Sequence, residues 1–378
     1  MLPWQGTTGR EQNQAFAQSR PDNWIVSESR KESDSAMMIC CAHATTKKFG
    51  KDRKGNPRLR CLLCGKTWIE RQQPKLLGEM RVPVETAKLV LNLLTQDTSI
   101  RAAERITGVH RDTICKLVVF FGDACKRFLD DRMRGLTMTH LQFDEQWTYV
   151  AKKQARLTTN ERTERHDQGD VYLWTCVDQK TKLMPSFLIG KRSADNARRF
   201  MMDVASRLKF PNPHASDAFD FKAGGYKPIV QISTDGFSAY PEAVDLAFGP
   251  YVKFGTIIKE YRNANMIYTP SEMVGTQRKG RRGMGSREER TICTSHVERL
   301  NGTQRVFLKR LNRLTLCFSK KLRNLEAAFA MFAAYYNYCW QTRKPGKSGS
   351  KRSTAAMMNG LAGHVWSFDE LFETVLGS

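Results

Sequence analysis

Between Pro83 and about Asp131 the apolar positions recur at three- and four-residue spacing, the rhythm of helices. Pro83 suits a first helical turn, and Ala87, Leu89, Val90, Leu93 and Leu94 then form one apolar face. Thr98 or Ser99 can cap a second short helix carrying Ile100, Ala103 and Ile106. A tight turn at Thr107-Gly108-Val109 follows, because Gly108 can take a positive φ. A third helix opens near Arg111 and turns Ile114, Leu117 and Val118 inward. This is the order of a DNA-reading helix-turn-helix, in which His110, Arg111, Asp112 and Lys116 would face the major groove. An ordinary helical hairpin has the same pattern.

The rhythm then changes to alternation. Leu141 to Val150 reads as a strand, Val171 to Val177 as a second, and Leu183 to Ile189 as a third, joined by a polar turn at Asp178-Gln179-Lys180. Ser193 caps a helix with Ala197, Phe200, Met201, Val204 and Leu208 on one side. Ile229 to Thr234 is a buried strand ending at Asp235-Gly236, a helix follows from about Ser238, and Thr256-Ile257-Ile258 predicts a further strand. Three antiparallel strands, helix, strand, helix, strand is the order of a mixed five-stranded RNase H-like sheet with flanking helices. In it, Asp144 inside the first strand and Asp235 at the end of the fourth would be neighbours.

A third carboxylate should come from a helix packed across that sheet. Ser295 to Thr303 begins one, with Val297, Leu300 and Leu308 apolar and Glu298 near its start. Glu288 and Glu289 compete with Glu298 but lie in a Gly/Arg-rich loop, Arg278 to Arg290, where a ligand is hard to hold. Three converging carboxylates repel one another unless divalent cations lie between them. Oxygen-only ligation suits Mg2+ or Mn2+, and two such ions can hold the attacking and leaving oxygens of an in-line phosphodiester displacement.

Charge changes the picture next. Over 378 residues, 61 Lys and Arg stand against 38 Asp and Glu, a net charge of +23 that points to a polyanion such as nucleic acid. Residues 37–82 hold eleven basic and three acidic side chains, whereas residues 1–36 hold four and five. No apolar run is long enough for a membrane helix, and the first 30 residues lack the apolar core of a secretory signal. A cytoplasmic, nucleoid-associated protein without a membrane partner is expected. The polar segment 1–36 is expected to be a flexible leader, with Met37 and Met38 offering a second translation start.

Ten cysteines are too few for a disulfide scaffold of this length, but four of them crowd together. Cys61-Leu62-Leu63-Cys64 is a C-x2-C pair, and Cys40-Cys41-Ala42-His43 offers C-x2-H with 17 residues between the pairs. This matches a structural zinc site built by Cys40, His43, Cys61 and Cys64, with Cys41 able to replace Cys40. A basic strip with one aromatic, Lys47 to Lys54 and then Arg58 and Arg60, runs between the pairs and would face phosphates.

These blocks together resemble the insertion-sequence-one family of DDE transposases. The zinc knuckle ending Cys61-x-x-Cys64-Gly65-Lys66-Thr67-Trp68 and the helix-turn-helix are similar to that family's DNA-binding half. Asp144-Glu145-Gln146-Trp147, Thr234-Asp235-Gly236-x-x-x-Tyr240 and Glu298-Arg299-x-Asn301 look like its three catalytic blocks. Arg313-Leu314-Thr315 and Phe318-Ser319-Lys320 also look like its tail. The match spans residues 40–340 with gaps. It departs from the family in using C-x2-H, in insertions near 154–169 and 262–292, and in being one continuous reading frame.

The resemblance implies a transposase that cuts DNA at its element's terminal inverted repeats and joins the 3′ ends to a target. Asp144, Asp235 and Glu298 would hold the catalytic Mg2+ or Mn2+. Double-stranded DNA and a homo-oligomer assembled on it are the implied partners. Arg111 and Lys116 are DNA-contact candidates on the helix-turn-helix. Arg305 and Lys309 are candidates downstream of Glu298, where Arg299, Arg305, Lys309, Arg310 and Arg313 recur as one basic helix. Asn301 shares the face of Glu298 as an orienting residue, and His296 is a possible proton carrier. A metal-dependent nuclease or resolvase, or a non-enzymatic DNA-binding regulator, are the alternatives.

The expected architecture is multidomain α/β. A leader (1–36) precedes a zinc-ribbon-like module (37–75) and a helix-turn-helix domain (80–132). The RNase H-like catalytic domain (138–340) carries a basic insertion at about 262–292, and a basic extension (341–378) ends the chain.

Overall fold

The computed structural model describes residues 45–53, 55–69, 76–78, 80–210, 229–262, 265–273, 292–312, 314–343 and 349–377, with two short strands at 219–220 and 225–226. Cys40, His43, Cys41, Glu288 and Glu289 lie outside these residues, as does most of the expected basic insertion. The chain divides into two compact units, residues 1–73 and 74–378.

The first unit is a three-stranded antiparallel sheet of β1 (Thr46–Lys51), β2 (Pro57–Cys61) and β3 (Thr67–Ile69). Cys61 ends β2, and the chain reverses through Leu62-Leu63-Cys64. The Gly65 N–H donates to the Cys61 carbonyl at 3.1 Å, and the Cys61 N–H donates to the Lys66 carbonyl at 2.9 Å. Gly65 has φ +72°, where a side chain would be strained. The turn thus places Cys61 and Cys64 on one knuckle. Arg58 and Arg60 lie over the Phe49 ring, 5.8 and 5.3 Å from its centroid, so part of the expected basic strip rests on that aromatic.

The second unit is built on a mixed six-stranded sheet. It contains β4 (His140–Val150), β5 (Gly169–Asp178), β6 (Phe187–Gly190), β9 (Val230–Asp235), β10 (Val252–Arg262) and β11 (Asn265–Met273), in the order β11-β10-β9-β4-β5-β6. The two short strands β7 (Phe219–Asp220) and β8 (Gly225–Tyr226) pair separately. β4, β5 and β6 form an antiparallel meander, β9 runs parallel to β4, and β10 runs parallel to β9. These five strands have the topology of an RNase H-like sheet. β11 adds a sixth, antiparallel to β10, where an insertion was expected. The strand expected from Leu183 begins only at Phe187. Pro185 has no N–H for a ladder, and the Asn337 side chain takes both the Met184 N–H, at 3.0 Å, and its carbonyl, at 2.9 Å.

Alternation along β4 decides what packs on each face. Its odd positions meet α5 (Ala194–Arg207), as in the edge-on contact of Phe143 with Phe200, centroids 5.7 Å apart. α6 (Tyr240–Phe248) lies on the same side, with Tyr240 edge-on to Trp174 of β5. The even positions meet α7 (Ser295–Phe307), which follows the short α4 (Thr159–Glu164), α5 and α6 along this unit. Ser193 caps α5 as expected, accepting from the Asn196 N–H.

The helical front segment consists of α1 (Val84–Thr95), α2 (Ile100–Thr107) and α3 (Arg111–Arg132). Ser99 caps α2, and Gly108 ends it with φ +72°. α3 is 22 residues long, because its apolar stripe continues past Val118 through Phe121, Cys125 and Phe128. That stripe is covered by α8 (Leu322–Tyr338) and α10 (Phe368–Gly377), the latter following the short α9 (Ala355–Met358). A Cβ on Gly122 would stand 2.2 Å from the Ala327 carbonyl oxygen, so the two helix backbones nearly touch. Phe121 stacks near Phe368 and Phe372, and Lys88 pairs with Glu373 at 2.8 Å. One buried apolar cluster therefore runs from Leu77 to Val375, taking in the front helices, the sheet and the C-terminal helices.

Candidate metal-binding carboxylate site

Adjacent parallel strands bring the first two expected carboxylates together. Gln142 pairs with Ser233 in the β4–β9 register, so two residues on, where β9 ends, Asp144 stands level with Asp235. Asp144, Glu145 and Asp235 each offer a carboxylate oxygen within 4.8 Å of the others. Among the described residues this is the one group of three or more His, Cys, Asp or Glu side chains so close. Glu145 was not among the expected ligands. Period-two alternation places it on the odd face with Phe143, toward α6, and its acidic character at a core-facing position was the available signal.

The backbone and Asn301 hold the two aspartates in place. Asp144 accepts from the Glu145 N–H at 2.9 Å and from the Asn301 side-chain amide at 2.7 Å. Asp235 accepts from the Phe237 N–H at 3.1 Å, in the turn that starts α6. Arg192, from the loop between β6 and α5, approaches Glu145 and Asp235 at 3.7 Å each and lies 4.1 Å over the Phe237 ring. One guanidinium at that distance does not neutralise three carboxylates. Burial, helped by the neighbouring Asp235 and Asp144 and opposed by Arg192, pushes Glu145 up to about 8. Tyr240, fully buried beside this cluster, is pushed well up by burial and then by Glu145, Asp235 and Asp144. Glu145 Oε1 has no hydrogen-bond partner. The donors are all oxygens, which fits Mg2+ or Mn2+ rather than a soft metal.

Gln142 links the even face of β4 to α7. Its buried side-chain oxygen accepts from the N–H groups of His296 and Val297 at 2.9 and 3.1 Å, capping the first turn of α7. That capping fixes the rotation of the helix above Asp144. Asn301 faces the sheet and meets Asp144 and, at 3.5 Å, Thr175. Glu298 is three residues earlier on the same side, half-buried, and accepts from the Thr294 hydroxyl at 2.9 Å. It is outside the 4.8 Å group. His296 contacts Lys182, Nδ1 to Nζ 3.1 Å, and burial and that cation lower its basicity.

The basic residues expected along one helix are dispersed. α7 ends at Phe307, and Lys309 to Leu311 form a separate 3-10 turn. Lys309 pairs with Asp97 at 3.0 Å, and Arg310 turns in to the Ser319 hydroxyl and the Asn324 carbonyl. Arg305 stays in α7, half-buried. Arg111 and Lys116 are exposed on α3, where the Arg111 N–H donates to Glu104 at 2.9 Å.

No protein-family model matches the chain, and no curated protein matches it. Among solved structures the chain is similar to a cryo-EM structure of a piggyBac transposase synaptic complex with hairpin DNA. The identity is 11%, the TM-score 0.34, and the overlap covers 79% of this chain and 73% of that one. That likeness is too slight to bear on function.

Proposed function

We propose that this protein is a DNA transposase of the insertion-sequence kind, cleaving and joining DNA strands at a divalent-metal site. The observation that carries the reading is the half-buried Asp144, Glu145 and Asp235 group at the meeting of β4 and β9, undercompensated by Arg192. Three acids held this close need a cation in their midst to remain ionised together. Mg2+ or Mn2+ bound there would supply Lewis-acid stabilisation of the attacking and leaving oxygens of a phosphodiester.

Asp144 and Asp235 are the ligands. Asn301 orients Asp144, and Gln142 sets α7 so that Glu298 can swing from Thr294 toward the same end of the sheet. Glu298 and Glu145 are rivals for the third ligand. The net charge of +23 suits a DNA substrate, with Arg111, Lys116, Arg305 and Lys309 as contacts. The Cys61–Cys64 knuckle, completed by Cys40 and His43, would hold a structural zinc, and α2–α3 would read element ends as a helix-turn-helix. Two ends must be brought together, so a homo-oligomer on DNA belongs to this reading.

The test is purified full chain with labelled element-end DNA, with and without Mg2+. Metal-dependent nicking and strand joining are expected. Their absence removes the enzyme reading, and cleavage without joining leaves a nuclease. Glu298→Gln and Glu145→Gln, compared at constant DNA binding, identify the third ligand by which one abolishes cleavage. Fresh protein is expected to carry about one equivalent of zinc.

A further inference from the structure

The odd face of β4 continues beyond the carboxylates. Same-face positions on a strand repeat every 6.8 Å or roughly so, and after Glu145 they are Trp147 and Tyr149. Trp147 is 39% exposed. The two rings have centroids 5.8 Å apart with planes 36° apart, and Phe318 continues the series 4.8 Å from Tyr149 at 37°. The loop carrying Phe318 is tied to the end of β4, the Ala151 N–H donating to the Ser319 carbonyl at 2.9 Å. Leu314 and Leu316 on this loop are fully exposed and line the same hollow. Contiguous exposed apolar surface of this kind marks an interaction site.

Cations border it. Lys153 Nζ lies 5.7 Å from the Trp147 centroid and 6.0 Å from that of Tyr149, and Lys320 Nζ lies 3.6 Å from that of Phe318. Arg156 and Lys152 line the hollow, with Lys152 held by Glu161 at 2.6 Å. The surface therefore offers rings in series, apolar edges and positive charge, on the strand that carries Asp144 and Glu145.

We propose that this face is a stacking platform for unpaired bases of single-stranded DNA entering the carboxylate site. Trp147, Tyr149 and Phe318 receive bases, while Lys153, Arg156 and Lys320 meet phosphates. The proposal rests on reading the carboxylates as a DNA-cutting site and adds the form of the substrate: a strand with bases unpaired beside the scissile phosphate. A duplex keeps its base faces in its own stack, so an aromatic ladder recognises only unpaired or extruded bases. A second copy of this chain would bring like charge against like, at +23 each.

The test uses the full chain in buffer without Mg2+ or Mn2+ and without chelator, so that any structural zinc stays bound, with a labelled single-stranded oligonucleotide and the same sequence as duplex, followed by fluorescence anisotropy. Trp147→Ala and Phe318→Ala are each expected to weaken single-strand binding about tenfold or more, and duplex binding by less than about twofold. Trp147→Phe should restore most of the loss. Leu316→Ser alters a fully exposed side chain, leaves the fold intact, and should weaken single-strand binding several-fold. Unchanged single-strand affinity in Trp147→Ala and Leu316→Ser, or equal losses on strand and duplex, overturns the platform. So does a fall in oligomeric mass in Leu316→Ser, which would assign the surface to a second copy. Binding is read without Mg2+ or Mn2+, so failure here leaves metal-dependent cleavage standing. Conversely, absent cleavage with intact stacking removes only the enzyme reading.

Discussion

Two acidic clusters in the second unit meet arginine in opposite ways. Between α5 and α3, the buried Arg207 donates to Asp203 at 2.9 and 3.0 Å and to Asp130 at 2.5 Å, while the Ser186 hydroxyl also donates to Asp203. Burial pushes Asp203 up, but the Arg207 hydrogen bonds and charge outweigh it and hold the carboxyl below its ordinary range. At the β4–β9 junction, Arg192 stands 3.7 Å from two of three carboxylates, and Glu145 is pushed up instead. The first cluster is satisfied within the fold and ties α5 to α3. The second is left short of positive charge, an arrangement compatible with a divalent cation among its carboxylates.

The largest effect expected from breaking this contrast is on chemistry. Asp144→Asn and Asp235→Asn should each lower metal-dependent cleavage by about a thousandfold or more. Without added Mg2+ or Mn2+, and with no chelator, the same variants should melt no lower than the parent, because a repulsion is removed; a large loss of thermal stability would make them structural acids. Arg207→Met should do the reverse. It removes the main cation from two partly exposed acids and should cost about 1–2 kcal/mol of stability in urea unfolding, while cleavage at permissive temperature persists. Asn301→Ala should lower cleavage about ten- to a hundredfold with the fold intact, since it removes the amide that orients Asp144.

The pH dependence sharpens the contrast most finely. Asp203 has a depressed folded pKa, so its stabilisation is present above the unfolded value and lost as pH falls through the folded one. Asp203→Asn should therefore flatten the acid limb of the stability curve. Glu145 has a raised folded pKa, so in metal-free protein stability should fall as pH rises from the unfolded 4.5 toward about 8. Glu145→Gln should remove that slope, and Mg2+ should suppress it. Equal slopes for the two variants would erase the distinction between the clusters.

Much of the site was legible because strands encode their neighbours locally. Alternation placed Asp144 in β4, the apolar run Ile229 to Thr234 ended at Asp235, and the order of elements made those strands parallel neighbours. Glu145 was legible in principle, as an acid in register with Phe143, but a carboxylate facing α6 is only interpretable once Tyr240 and Arg192 are seen beside it. Arg192 sits in a loop with no periodicity to betray it. The basic series from Arg299 to Arg313 read as one helix face, yet the chain turns at Leu308 and sends Lys309 to Asp97 and Arg310 inward.

The sequence by itself determined the local elements: caps at Ser99 and Ser193, the left-handed turn at Gly108 and five of the six strands of the sheet. These depend on backbone preferences and on periodicity within a few residues. Only the tertiary structure decided that α3 runs on to pack against α8 through Gly122, and that Gln142 and Asn301 couple α7 to the strand bearing Asp144. It also decided that Trp147, Tyr149 and Phe318 meet. Each of these joins residues far apart in the chain, and such contacts form only where packing of the whole core brings the surfaces together.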